Sequence, residues 1–238
     1  MRLGIRAVGS SCYQVFSHLA LSFGGNVLAM LLSLPIVLVT VGVAFVVHSL
    51  SLVPLGIALL VGALPNPACM GLHTLTRELA RGDTADFVEQ RQGLRMYWRV
   101  SLRAWSIAAA IAIICVVNMA FYATQAANPA SRLHAVAAPL FVVWTLILLL
   151  WLGVHLYVAP LLLAQVEPRA LLAYRNAAVI MLSRPVASLN ASLIWLGALL
   201  LTSATALATI IGLALAASIQ QNAFRLLLPN LLPTQDRA

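Results

Sequence analysis

The chain contains no lysine and very little charge of either sign. Its 14 basic residues are all arginine and stand against six acids, for a formal net charge of +8. Charged residues make up 8% of the 238 positions, where a soluble globular domain carries about 25%. A chain this poor in charge cannot cover the surface of a water-soluble fold of its size. Cysteine is scarce as well. Cys12, Cys69 and Cys115 form no CxxC pair and no Cys/His pair at metal-ligand spacing, so neither a disulfide framework nor a metal or other cofactor site is expected. No P-loop, no GxGxxG, no nucleophile elbow, no paired catalytic carboxylates and no zinc-protease motif occurs, and the reading is therefore non-enzymatic.

Acids are missing where they would matter most. The apolar segments 26–47, 104–124, 136–163 and 188–217 contain no carboxylate. Proton relays and ion-coupled transport rely on intramembrane carboxylates, so a proton-driven pump is disfavoured. His73 and His155 are the main ionisable candidates in or beside the apolar segments.

Long hydrophobic runs fill the rest, and hydrophobic residues reach 62%. A helix needs about 20 apolar residues to cross a bilayer. The runs predict an all-α, polytopic transmembrane helix bundle of about five spans plus interfacial helices. Residues 1–25 read as an N-terminal interfacial amphipathic helix, with Val8, Cys12, Val15, Phe16, Leu19 and Phe23 at helical spacing and a break at Gly24-Gly25. Residues 26–217 read as the transmembrane domain, with spans at about 26–47, 54–81, 104–124, 136–163 and 188–217. Pro35 is expected to bend the first span. The second span is interrupted at Pro65, Asn66 and Pro67, since a proline bars the preceding residue from the helical region and Asn66 suits a cap. Discontinuous helices of this kind can form midplane binding sites. Residues 82–103 read as a cytoplasmic loop, and residues 218–238, with Pro229 and Pro233, as a mobile C-terminal tail.

Arginine placement sets the orientation. With the N-terminus in the cytoplasm, eleven arginines (2, 6, 77, 81, 91, 95, 99, 103, 169, 175 and 184) lie inside and three (132, 225 and 237) outside. That asymmetry predicts a multi-pass protein of a bacterial inner membrane with a cytoplasmic N-terminus. Arg91, Arg95, Arg99 and Arg103 recur every fourth residue beside a face formed by Phe87, Leu94, Trp98 and Trp105. This pattern marks them as candidate contacts for anionic lipid headgroups, on a helix lying along the membrane surface. Basic residues that flank hydrophobic spans point to membrane lipids, and possible docking to another membrane protein complex, rather than to nucleic acid. Ala204, Ala208, Gly212 and Ala216 also recur every fourth residue and are candidate close-packing positions between helices.

Several phrases in order resemble the YesL-like bacterial membrane proteins, a family of unknown function. They are Asn26 with Ser33-Leu34-Pro35-Ile36-Val37; Asn66-Pro67-Ala68 through Leu72; Arg77, Gly82 and Asp86-Phe87 before the basic helix; Asn118 with Phe121-Tyr122; Tyr157 with Pro160; and Ala177 with Pro185. The likeness spans roughly residues 15–195. Here residues 38–65 intervene where that family runs almost directly from the first block to the second. The resemblance implies a small inner-membrane protein encoded near sugar uptake and sensing systems, and implies no catalytic residue. The expected function is an accessory or modulatory component of a membrane system such as carbohydrate uptake, with a small-solute transporter or channel as the alternative.

Overall fold

A computed structural model describes residues 2–46, 67–81, 85–203 and 212–227. Helix is the only regular structure among them: α1 (Arg2–Ser17), α2 (Leu19–Val46), α3 (Pro67–Arg81), α4 (Phe87–Ala127), α5 (His134–Ala164), α6 (Ala170–Ser183), α7 (Pro185–Ser203) and α8 (Leu213–Leu227). The all-α bundle expected from the apolar runs is the architecture found. Among the described residues two helices, α4 and α5, are long and apolar enough to cross a membrane, and up to four spans result if the α1–α2 and α6–α7 bent pairs each count as one. The first half of the expected second span, with Pro65 and Asn66, lies outside the described residues, as do Ala204 and Ala208.

The short helix α3 occupies the middle. It packs against α4, α8, α2 and α5, and Met70, Leu72 and Leu75 are fully enclosed. Its 15 residues extend about 22 Å, short of the ~30 Å hydrocarbon core. Pro67 opens it, a position where a missing N–H costs nothing. Glycine sets the close approach of α3 to α4. A Cβ at Gly71 would overlap the backbone of Gln90, and one at Gly93 would overlap the Thr74 side chain.

The same device overturns the expected break at Gly24-Gly25. Helix α2 runs through both glycines, and the chain turns by 97° near His18 instead. A Cβ at Gly24 would strike the Phe87 ring, and one at Gly25 would crowd Leu72, Leu75 and Gln90. These glycines are sites of helix contact, not of helix termination. Gln90 seals the junction by donating from Nε2 to the Gly25 carbonyl at 3.0 Å.

Residues 87–103 of the expected cytoplasmic loop are the first part of a longer helix, α4; residues 82–84 lie outside the described residues. Asp86 and Glu89 make a reciprocal N-terminal cap, in which the Asp86 side chain accepts from Val88 N–H and Glu89 Oε2 accepts from Asp86 N–H. From there α4 runs for 41 residues without interruption, about 60 Å, or twice the hydrocarbon thickness. The segment between the fourth and fifth expected spans likewise contains a helix, α6, with Ala173 and Ala177 fully enclosed.

The expected mobile tail is corrected as far as Leu227, beyond which the chain lies outside the described residues. Residues 218–224 are buried in α8. Their polarity reads as solvent exposure in the sequence, but they face polar partners on α1. Ser218 Oγ donates to Gln14 Oε1 at 2.8 Å, and Asn222 Nδ2 donates to Ser11 Oγ at 3.0 Å and to Gln14 Oε1 at 3.1 Å. Gln14 Nε2 donates onward to the Thr76 carbonyl at 3.1 Å. Buried polar groups are tolerable when mutually satisfied, and this network joins α1, α3 and α8. The expected apolar face of α1 divides: Val15 is buried, Val8 and Cys12 are partly buried, and Phe16 is 60% exposed.

Candidate functional site

The most distinctive charged feature lies on the first half of α4. Gln90, Gly93, Tyr97, Ser101, Ala104, Ala108, Ala112 and Cys115 form the buried side of this helix, at the three- and four-residue steps of one helical face. Arg91, Arg95, Arg99 and Arg103 occupy the opposite side, and all four are exposed. None forms an ion pair among the described residues; the pairs found are Arg77–Glu78, Arg81–Glu78 and Arg169–Glu167. Two of the acids nearest in sequence, Asp86 and Glu89, are committed to the helix cap. From Arg91 to Arg103 the edge climbs about 18 Å along the axis.

The expected aromatic face divides. Trp98 is half exposed, Leu94 is partly buried, Trp105 packs against the core, and Phe87 leans on Gly24. Because Gly24 meets Phe87 and Gly25 meets Gln90, α2 climbs alongside α4 in the same direction. Leu28, Leu31 and Leu32 of α2 are exposed next to the arginine edge. Between the two helices and the start of α3 lies an open groove of about 400 Å³, lined by Leu32, Pro67, Ala68, Leu94, Arg95 and Trp98. Its walls are apolar, with the Arg95 guanidinium as its charge. The positive end of the α3 dipole adds to the same sign.

The interior is packed differently. His155 and Tyr174 form a fixed polar core beside the apolar middle of α5. His155 Nδ1 lies 2.8 Å from the Trp151 carbonyl, and the Tyr174 hydroxyl donates to the Ala104 carbonyl at 2.8 Å. A carbonyl only accepts, so Nδ1 carries the imidazole proton. The one Tyr174 hydroxyl proton is shared between the Ala104 carbonyl and His155 Nε2, which lies 3.0 Å away, and Trp151 stacks on Tyr174 with centroids 5.1 Å apart. His155 is thus held as a structural pin between α5, α6 and α4. Tyr157 donates to Ser188 at 2.9 Å in the same manner, joining α5 to α7. Arg77 donates to the Leu163 carbonyl at 2.8 Å and so caps the end of α5.

His73 is enclosed on α3, and its Nδ1 has no partner. Of the expected close-packing ladder, Gly212 and Ala216 are buried at the start of α8. The chain enters α8 under a cap drawn from a distant element. Asn26 Oδ1 accepts from Leu213 N–H at 2.8 Å and Ala214 N–H at 3.2 Å. Nothing in local sequence announces this pairing, apart from a lone Asn in an apolar stretch.

No group of three or more His, Cys, Asp or Glu able to hold a metal occurs among the described residues. Compared with family models, with curated proteins and with solved structures, the chain matches none.

Proposed function

We propose that this chain is a non-enzymatic accessory component of a bacterial inner-membrane system, seated by anionic phospholipid along the basic edge of α4. The observation that carries the reading is the groove at Arg95. An exposed guanidinium without an acid partner stands over an apolar wall made by Leu32, Leu94 and Trp98. An acyl chain along α2 with its phosphate on Arg95 satisfies both halves of that surface, and arginine stems reach phosphate from an apolar wall. The volume falls at the lower end of the ~300–1,000 Å³ of small-ligand sites. The reading places the N-terminus and the arginine edge in the cytoplasm, where anionic lipid and the arginine asymmetry agree. The task suggested by the YesL-like resemblance is modulation of a neighbouring complex, such as one for carbohydrate uptake.

Photolabelling tests the lipid part. The full chain in phosphatidylcholine nanodiscs is titrated with phosphatidylglycerol carrying a diazirine on its acyl chain. Peptides containing residues 32 and 94–98 should be labelled more by phosphatidylglycerol than by an equivalent phosphatidylcholine probe. Arg95→Gln should cut that preference about fivefold, since one charge near an anionic surface contributes ~1 kcal/mol. Equal labelling by the two lipids would reject the proposal. Proteoliposome flux decides the alternative: release of small sugars or ions above empty vesicles would make the chain a channel or transporter.

A further inference from the structure

We infer that a single water molecule is bound inside the junction of α3, α7 and α8, hydrogen-bonded at once to His73, Trp195 and Gln220. Three observations converge on it. Each of these side chains is almost wholly enclosed, at 3%, 1% and 2% exposure. Each also presents one polar atom with no protein partner: His73 Nδ1, Trp195 Nε1 and Gln220 Oε1. All three residues line one small cavity.

The size suits one water. The space open to the centre of a water molecule is about 10 Å³, and one water needs roughly 10–15 Å³ on that measure. Nothing larger fits without moving a helix. The remaining wall is Cys69, Leu72, Leu213, Ala216 and Ala217; the Cys69 thiol is engaged with Ser33, and the others supply no competing side-chain hydrogen bond.

The donor and acceptor balance is equally specific. An indole N–H only donates, and an amide oxygen only accepts. An unpaired Nδ1 accepts when the imidazole carries its proton on Nε2. One donor and two acceptors are the complement of a water, which receives one hydrogen bond and gives two. An ammonium ion could only donate and would face the indole N–H. A halide could only accept and would face the amide oxygen and the ring nitrogen. A direct Trp195–Gln220 pair would still strand His73. Left dry, the cavity would hold three unsatisfied groups, each costing ~1–3 kcal/mol.

The water turns an otherwise apolar contact into one with register. His73, Trp195 and Gln220 come from three helices, and rotating or sliding any one of them breaks its bond to the shared water. Helix α8 is thereby held on α3 from inside, while Gln14 holds it on α3 through α1.

The test uses the full chain with indole-¹⁵N tryptophan in nanodiscs, where the Trp195 signal is assigned by its loss in Trp195→Phe. The expected result is a direct cross-relaxation peak between the Trp195 indole proton and a long-lived water. Gln220→Met keeps the volume and removes the acceptor. It should shift the indole resonance and lower the folding equilibrium constant about tenfold. Ala217→Val fills the cavity from its apolar wall and should abolish the water peak while leaving three polar groups unpaired, and the peak in the parent protein answers the question even if neither variant folds. An indole proton with no water peak in the parent protein, or a peak unchanged in Ala217→Val, would overturn the assignment.

Discussion

Gly71 on α3 faces the Gln90 carbonyl on α4 so closely that a methyl group at position 71 would overlap the oxygen. The obstacle is backbone at the crossing of two helices, so it cannot rotate away. Gly71→Ala should therefore destabilise the protein despite alanine's better helix propensity, by about 2–3 kcal/mol or more. Gly197 on α7 has open space around it, and Gly197→Ala should stabilise by roughly 0.5–1 kcal/mol. Thermal unfolding in detergent, followed by loss of the monodisperse peak, checks both. Shifts of the same sign would mean that contact geometry does not govern these glycines.

The cap from Asn26 to α8 gives a second prediction. Its side-chain oxygen satisfies two N–H groups at the start of α8 across 187 residues of chain. Asn26→Leu is close in volume and removes the acceptor. It should cost about 1–2 kcal/mol and speed amide exchange at Leu213 and Ala214 more than at Gln220 and beyond. Uniform loss of protection along α8 would point to general unfolding rather than a lost cap.

How much of this was readable beforehand depends on the distance between partners. The apolar segments in α2, α4 and α5 were legible because they rest on composition, and the turn at Asn128-Pro129 rests on chemistry within a few residues. Asn128 Oδ1 accepts from Ala130 N–H at 3.1 Å, a purely local bond. Gly24 and Gly25 misled because glycine weakens an isolated helix, whereas here its missing Cβ admits Phe87 and Gln90 from α4. Pro229 and Pro233 gave no sign of the order that precedes them, because Ser218 and Asn222 find their partners, Ser11 and Gln14, some 200 residues earlier. The arginine edge was found by its spacing. Its continuity with a span was hidden by its polarity, since a helix changing from wet to apolar reads as two elements. The groove and the His73 cavity each need three elements in place and had no sequence signal of their own.

The last prediction concerns the attitude of α4. If residues 87–103 lay flat on the membrane as an interfacial helix, the four arginines would share one depth. A single helix of 41 residues does not allow this without breaking if its apolar length, from about Ala104 onward, crosses the bilayer as its length and hydropathy permit. The axial rise from Arg103 to Arg91 is about 18 Å, and tilts of ~20° typical of spans leave most of it. Spin labels on single cysteines at 91, 95, 99 and 103, with Cys12 replaced by serine, should therefore report a graded depth in nanodiscs. Position 103 should lie closest to the acyl region and position 91 farthest into water, with 95 at the level of the groove. Oxygen accessibility should rise, and that of a charged nickel chelate should fall, in step from 91 to 103. A flat profile across the four would mean that α4 bends at the membrane surface and that its continuity is not kept in a bilayer.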